Sequence, residues 1–392
     1  MMRKTLKAIL LLLVVYFFNL SSSFAQDSSR LRISLLTCSP GEELYSIFGH
    51  SAVRIIDSNS VTDYIYNFGT FDFDQDEFYL KFMRGKLLYF VSAERTDDFI
   101  NAYAYEKRGI TEQVLNLSAT EKKKMQQALN ENLKEENRFY KYDFFLDNCT
   151  TRLRDLISNN KTTTPILPAV MPQQTTYRQA IHRYLEKGDQ RWSELGIDIL
   201  LGARTDKIMS ASEQQFLPDN LMYTIDSCKN IAMVKEKSVL YSPLNETEKV
   251  ALFSPLNCFL ILLIFIFGIG FIKHPLAQKF LNTFDVLFFI ATGLIGVLLI
   301  LMWVATDHSM TKNNLNLFWA LPTNLWVAFQ LNNNRRWILS YLRVVVVISS
   351  LLLVFWRFLP QEFNTSLIPI VILILWRCSN RVKNSQTPFN AQ

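Results

Sequence analysis

The residue best suited to covalent chemistry is Cys149, in the run Asp147-Asn148-Cys149-Thr150-Thr151. Asp147 or Asn148 would cap a helix there, with Leu153, Leu156 and Ile157 on one face. The sulfur then falls in the first turn, where the helix dipole and free backbone N–H groups favour the nucleophilic thiolate. A thiol of this kind needs a base. Two histidines precede the strongly apolar part of the chain, His50 and His182. His182 lies on an amphipathic helix among Arg178, Arg183 and Glu186 and reads as solvated surface, whereas His50 opens a strand directly after Gly49. A hairpin centred between Ser58 and Asn59 puts Asn67 opposite His50, where an amide would orient the imidazole and fix its tautomer. A slip of one or two residues would offer Asp63 or Tyr66 instead, and Asn67 also reads as a turn residue ahead of Phe68-Gly69.

The elements that must hold these residues follow from the pattern around them. Residues 31–37 read as a strand, 40–41 as a turn, 42–48 as a short helix and 49–56 as a strand. A second hairpin strand returns over 61–68, and 86–91 and 109–117 are further strands with a mainly helical stretch between them. Ser118-Ala119-Thr120-Glu121 is a capping box for a helix to about 136, and helical patterns recur over 177–186 and 192–201 before a polar stretch. A strand-rich start and a helical end indicate an α+β domain over residues 26–250.

The flanking segments say where that domain works. The N-terminus combines Arg3, Lys4 and Lys7, an uncharged run over 8–18 and a Ser23-x-Ala25 end, the form of a signal peptide over 1–25 with cleavage before Gln26. After residue 250, the uncharged stretches 251–272 and 286–305 are each long enough to cross the hydrocarbon core. Three weaker spans follow: 315–331 with Pro322 inside it, 337–356 with Arg343, and 363–376. Five spans over 251–377 leave a cytoplasmic tail at 378–392. They also place Lys273, Lys279, Arg335, Arg336, Arg377, Arg381 and Lys383 inside, against Lys312 and Arg357 outside, in accord with the positive-inside rule. The loop 306–314, with Asp307 and His308, then faces the same compartment as the N-terminal domain. There it could bind a lipid headgroup, help align an acceptor, or be a polar interfacial loop without chemistry. Arg343 would snorkel, pair within the bundle or bind a headgroup.

Only 19% of residues are charged, which excludes a disordered chain. The net charge of +6 is concentrated on the predicted inner face, so no nucleic-acid partner is indicated. No cofactor is indicated either, and without a Cys/His cluster a structural zinc site is not expected. Cys38 and Cys228 could form a disulfide in an exported domain.

Together, Thr37-Cys38-Ser39-Pro40-Gly41, Phe48-Gly49-His50-Ser51-Ala52, Tyr66-Asn67-Phe68-Gly69 and Asp147-Asn148-Cys149-Thr150 resemble the exported domain of Lnb-type lipoprotein N-acyltransferases. The C-terminal part is similar to that family's membrane region, with Asp307-His308 through Asn314, Asn316, Trp319 and Pro322 in its polar segment. The resemblance implies a circularly permuted papain-like fold, as in NlpC/P60 and lecithin-retinol acyltransferase proteins, in which the histidine strand precedes the cysteine helix. It implies Cys149 as nucleophile and His50 as base in an inner-membrane acyltransferase. The acyl donor would be a membrane phospholipid and the acceptor a diacylglyceryl-cysteine lipoprotein. The same Cys-His pair would also serve an envelope cysteine peptidase, amidase or phospholipase, and an inert Cys149 would leave a lipid- or partner-binding module.

Overall fold

A computed structural model of the chain describes residues 29–243, 253–333 and 335–385. The signal peptide, the joint at residue 250 and the end of the tail lie outside these residues. The N-terminal part is built on one antiparallel sheet with strands β1 (Leu31–Cys38), β2 (His50–Asp57), β3 (Thr62–Thr70), β4 (Leu88–Arg95), β5 (Ile110–Leu115), β6 (Phe139–Lys141) and β7 (Val234–Tyr241). Their order in space is β6-β4-β3-β2-β1-β5-β7. The helices are α1 (Phe78–Met83), α2 (Thr96–Tyr105), α3 (Ala119–Asn132), α4 (Cys149–Asn160), α5 (Tyr177–Lys187), α6 (Arg191–Leu200) and α7 (Pro218–Asp226). This is the mixed α and β architecture that the sequence indicates.

Both sheet faces are covered, as alternation along the strands requires. Ile33, Leu35, Val53, Ile55 and Phe68 pack with Met125 and Leu129 of α3, Leu153 and Ile157 of α4 and Leu221 of α7. Leu36, Cys38, Ala52 and Ile65 pack on the other face with Phe99 of α2. The predicted capping box forms: the Glu121 amide donates to Ser118 Oγ, and the Ser118 amide to Glu121 Oε2.

Several expectations need correction. Residues 42–48 form consecutive turns, with no helix. The Gly41 and Gly49 amides both donate to the Ser46 carbonyl, which ties that backbone into a loop. The polar stretch after residue 201 contains α7 and the edge strand β7. All five cysteines are free thiols, so Cys38 and Cys228 do not pair; Cys38 is fully buried, and burial pushes its pKa up to about 12.

The C-terminal part comprises α8 (Pro255–Gly270), α9 (Pro275–Val304), α10 (Thr323–Ala328), α11 (Arg336–Val354) and α12 (Ile368–Asn384). Among the described residues three apolar segments, Pro275–Val304, Arg336–Val354 and Thr365–Asn384, are long enough to cross a membrane, and the 16-residue α8 is shorter. The expected span at 315–331 is not one helix. After a single helical turn at Leu315–Phe318 the chain reaches Pro322, where a helix interior would lose a hydrogen bond, and only the six residues of α10 follow. Polar contacts fasten this broken segment to its neighbours. The Asn324 amide donates to Thr292 Oγ1 of α9 (3.0 Å), and Tyr341 Oη of α11 donates to Asn324 Oδ1 (2.7 Å). Arg377 is not a loop cation: its guanidinium donates to both Asp285 oxygens inside the bundle (2.7 and 2.9 Å), and Arg381 binds the same carboxylate. The expected tail therefore starts within α12.

The two parts share packing. Leu195 of α6 belongs to the apolar cluster of the bundle, and Met310 of the α9–α10 connection belongs to a cluster with Tyr177, Ile181 and Phe216.

Candidate active site

Cys149 is the first residue of α4, and Asn148 is the cap. Asn148 Oδ1 accepts from the Thr150 and Thr151 amides (2.9 Å each), while its Nδ2 donates to the carbonyls of Phe144 and Phe216. The cap is itself buried, so the helix start is fixed from both sides. The first-turn N–H groups are not all free, in contrast to the sequence expectation. Thr150 and Thr151 are spent on the cap, which leaves the Cys149 amide as the first-turn donor without an intrahelical acceptor.

His50 is the first residue of β2, paired with Cys38. Gly49 before it has φ +77°, and a Cβ there would stand 2.7 Å from the Cys38 carbonyl oxygen, so only glycine allows the turn that delivers His50. His50 Nε2 donates to Asn67 Oδ1 at 3.1 Å in the tautomer that pairs them, which leaves Nδ1 uncommitted in an imidazole close enough to Cys149 for their charges to interact. Asn67 Nδ2 donates in turn to Glu94 Oε1 at 2.5 Å.

The β2–β3 register differs from the expected one by two residues: Val53 pairs with Tyr66 and Asp57 with Thr62, around a four-residue turn at 58–61. A shift of two keeps every side chain on its face, which is why Asn67 still meets His50. Asp63 and Tyr66, the alternatives, are engaged elsewhere. Asp63 accepts from Arg54 and Thr96, and Tyr66 packs in the core.

The electrostatics suit an ion pair. Burial raises the Cys149 pKa, but the neighbouring charge and hydrogen bond of His50, the Ser51 amide and the Thr150 hydroxyl outweigh it and bring the thiol down from 9.0 to about 7. For His50, burial opposes protonation and the Cys149 thiolate more than compensates, so its pKa is raised. Thr150 Oγ1 sits 3.7 Å from the sulfur and 3.1 Å from Ser51 Oγ. Alkylation of Cys149 by iodoacetamide should therefore rise with pH through about 7. In His50→Ala the rise should move toward the ordinary thiol range of about 8.5, read as the pH dependence of the rate constant.

Sequence reasoning missed Glu94, Ser51 and Thr150. Glu94 is invisible without the β3–β4 register, which sets Asn67 opposite Ser92 and Ile65 opposite Glu94. Thr150 adjoins Cys149 and Ser51 adjoins His50 in sequence, and that adjacency was the available signal.

The remaining predicted residues are not brought to the thiol. Asp307 Oδ2 accepts from Lys141 Nζ at 3.0 Å, and the Asp307 amide donates to the Arg84 carbonyl. His308 Nε2 lies 3.2 and 3.1 Å from the carbonyls of Phe82 and Met83. Both residues thus fasten the outer end of α9 to the α1 segment. Arg343 is exposed on α11, near the end that starts at Arg336 and away from the Cys149 domain.

His182 is not solvated surface. It lies 2.8 Å from Asp198 Oδ1, and with Glu194 the two form a group whose ligand atoms fall within 4.8 Å of one another. The Arg178 guanidinium already occupies Asp198 Oδ1 at 2.7 Å, and Asn364 Nδ2 donates to Asp198 Oδ2 at 2.9 Å. A cation fully buried against this carboxylate opposes a metal ion there.

Two family models match the chain. The Lnb N-terminal periplasmic domain covers residues 23–183, including His50, Asn67, Glu94 and Cys149, and the Lnb transmembrane domain covers residues 246–386. No curated protein and no solved structure matches it.

Proposed function

We propose that this chain, which belongs to the Lnb-type lipoprotein N-acyltransferase family, moves an acyl chain from a membrane phospholipid to the α-amino group of a diacylglyceryl-cysteine lipoprotein through a thioester on Cys149. The family makes it a membrane protein of lipoprotein maturation with a periplasmic N-terminal domain. The observation that carries the finer reading is the chain of contacts from Cys149 through His50 and Asn67 to Glu94, centred on a thiol with a pKa brought down to about 7.

In the first half-reaction His50 takes the Cys149 proton, and the sulfur attacks the carbonyl carbon of an ester. The Cys149 amide, which the cap leaves unengaged, would donate to the carbonyl oxygen as negative charge develops on it. Collapse breaks the ester C–O bond, the imidazolium protonates the departing lysophospholipid alkoxide, and a thioester remains. In the second half-reaction the lipoprotein amine attacks the thioester carbonyl. His50 accepts the proton lost by nitrogen and returns it to the departing Cys149 sulfur, and an amide is formed. Asn67 would hold one imidazole tautomer through both halves.

The order of the elements, with the histidine strand ahead of the cysteine helix, supports assigning the domain to the circularly permuted papain-like group. The positive residues at the end of the bundle away from this domain support an inner-membrane placement with Cys149 outside. Donor and acceptor are both lipid-anchored, so tethering the catalyst beside them raises their effective concentration.

The test is to incubate the full chain in phosphatidylethanolamine vesicles without acceptor, quench in acid and weigh the peptide bearing Cys149. A fatty-acyl mass increment is expected, removed by neutral hydroxylamine. An unmodified Cys149 that still reacts with iodoacetamide overturns the reading, and continuous release of free fatty acid favours a phospholipase.

A further inference from the structure

Between β3 and β4 the chain makes an excursion, residues 71–87, that contributes nothing to the sheet and exposes large apolar side chains. Phe73 is 64%, Tyr79 76%, Phe82 51% and Met83 56% exposed, although Phe78 between them is buried. A soluble domain rarely leaves such a cluster facing water. The excursion is also fixed in position. The Asp307 amide donates to the Arg84 carbonyl, and His308 contacts the carbonyls of Phe82 and Met83, so α1 is held against the residues that immediately follow the apolar helix α9. The end of α9 is where the hydrocarbon of a bilayer would give way to headgroups. The excursion's own charges are sorted: Asp72, Asp74, Asp76 and Glu77 come first, while Lys81, Arg84 and Lys86 cluster at the end tied to residues 307 and 308. Cations beside exposed aromatic residues are the pattern of an interfacial segment.

The aromatic residues also lead inward. The Phe82 and Phe78 rings stack with centroids 6.3 Å apart, and Phe73 joins Phe78 at 4.9 Å. Phe71 meets Phe73 at 4.9 Å and Tyr89 at 5.4 Å, and Tyr89 stacks on Tyr142 at 4.4 Å. Tyr142 flanks the nucleophile: a Cβ at Gly69 would stand 3.5 Å from Tyr142 Cε2 and 3.7 Å from Cys149 Cβ. Burial pushes the Tyr89 phenol up to about 12 and that of Tyr142 well above its usual value, so both rings stay neutral.

We infer that the α1 excursion dips into the outer surface of the membrane, and that its aromatic row is the path along which the hydrocarbon chain of a phospholipid reaches Cys149. The path rests on the acyl-transfer reading, whereas membrane contact by α1 stands apart from it. The experiment therefore has two arms, both with the full chain in vesicles of phosphatidylethanolamine and phosphatidylglycerol. In the first, p-benzoylphenylalanine is placed at Tyr79, at Phe82 or, as a control, at Val61 in the distant β2–β3 turn, where exposure is 90%. Irradiation should attach phospholipid at positions 79 and 82 and none at 61. Absence of lipid adducts at 79 and 82, or adducts to protein in their place, overturns the inference even if Cys149 is acylated. In the second, Phe82→Glu should slow acylation of Cys149 by vesicle phospholipid at least about tenfold, because the exposed ring no longer partitions into the interface. Acylation at the unaltered rate overturns the path, and an unacylated wild-type chain that still gives lipid adducts at 79 and 82 removes the acyl-transfer reading while leaving α1 at the membrane.

Discussion

Replacing Cys149 with alanine is expected to abolish N-acylation of lipoproteins, and His50→Ala to lower the rate by a factor on the order of 10³ or more. The asymmetry follows from the chemistry. Without the sulfur no thioester can form, and the remaining binding groups cannot divide the transfer into two displacements. Without His50 the sulfur survives but loses the charge that brings its pKa to about 7, so the thiolate fraction falls and the leaving alkoxide has no proton donor. Asn67→Ala should cost less, about 10- to 100-fold, because it removes the hydrogen bond that orients the imidazole and leaves both reacting groups in place. Mass spectrometry of lipoprotein N-termini from cells lacking any other N-acyltransferase checks the series. Full N-acylation in Cys149→Ala overturns the assignment of the nucleophile, and equal losses in His50→Ala and Asn67→Ala would deny their different roles.

What could be read from the sequence of this site was whatever depends on near neighbours. The helix start at Cys149 is announced by Asn148, whose cap geometry needs only three following residues. His50 is announced by Gly49, because a positive φ before a strand is a local requirement. Asn67 survived a wrong register only because the error was even. Glu94 depends on the pairing of β3 with β4, residues 27 positions apart, and nothing near either residue signals it. The same limit explains the misread elements. β7 carries lysine and glutamate along an exposed edge and so lacks the apolar alternation of a strand. His182 sits between charged residues in sequence, yet Arg178, one helical turn before it, is the largest fully buried side chain among the described residues. In the bundle, apolar length announced a crossing at 315–331 and Pro322 marked its break, but the asparagine contacts that fasten the broken segment are long-range.

That buried arginine underlies the second large effect, on the union of the two parts of the protein. Arg178 donates to Asp198 at 2.7 Å, to Asp206 at 2.9 Å, to Thr205 Oγ1 at 2.8 Å and to the carbonyls of Leu201 and Gly202. Asp198, itself buried, reaches across to the membrane part. Its carboxylate accepts from Asn364, and its backbone carbonyl accepts from Asn316. Asn314 donates to the carbonyls of Ile199 and Leu200, and Gln361 to that of Leu201. Asp198→Ala should therefore destabilise the full chain by about 3–5 kcal/mol, since it leaves a buried guanidinium short of one counter-charge and Asn364 without its acceptor. Asp198→Asn should recover part of the loss by retaining hydrogen bonds without the charge.

The histidine in this cluster gives the effect a pH signature. Burial opposes charging His182, but the hydrogen bond and charge of Asp198, aided by Glu194, outweigh it against Arg178 and raise its pKa above 6.5. Burial also acts to raise the Asp198 pKa, and its cationic partners and Asn364 overcome that and lower it. A raised histidine pKa contributes stability that is complete below the unfolded value of about 6.5 and is lost as pH rises through the folded value. The difference in stability between wild type and His182→Gln should accordingly be largest in mildly acidic buffer and shrink toward alkaline pH. Chemical unfolding of the full chain in detergent at several pH values reads this directly. A difference that grows with pH would reverse the sign and show His182 to be held neutral, and an unchanged unfolding midpoint in Asp198→Ala would show that the Asp198 carboxylate does not stabilise the union of the two parts.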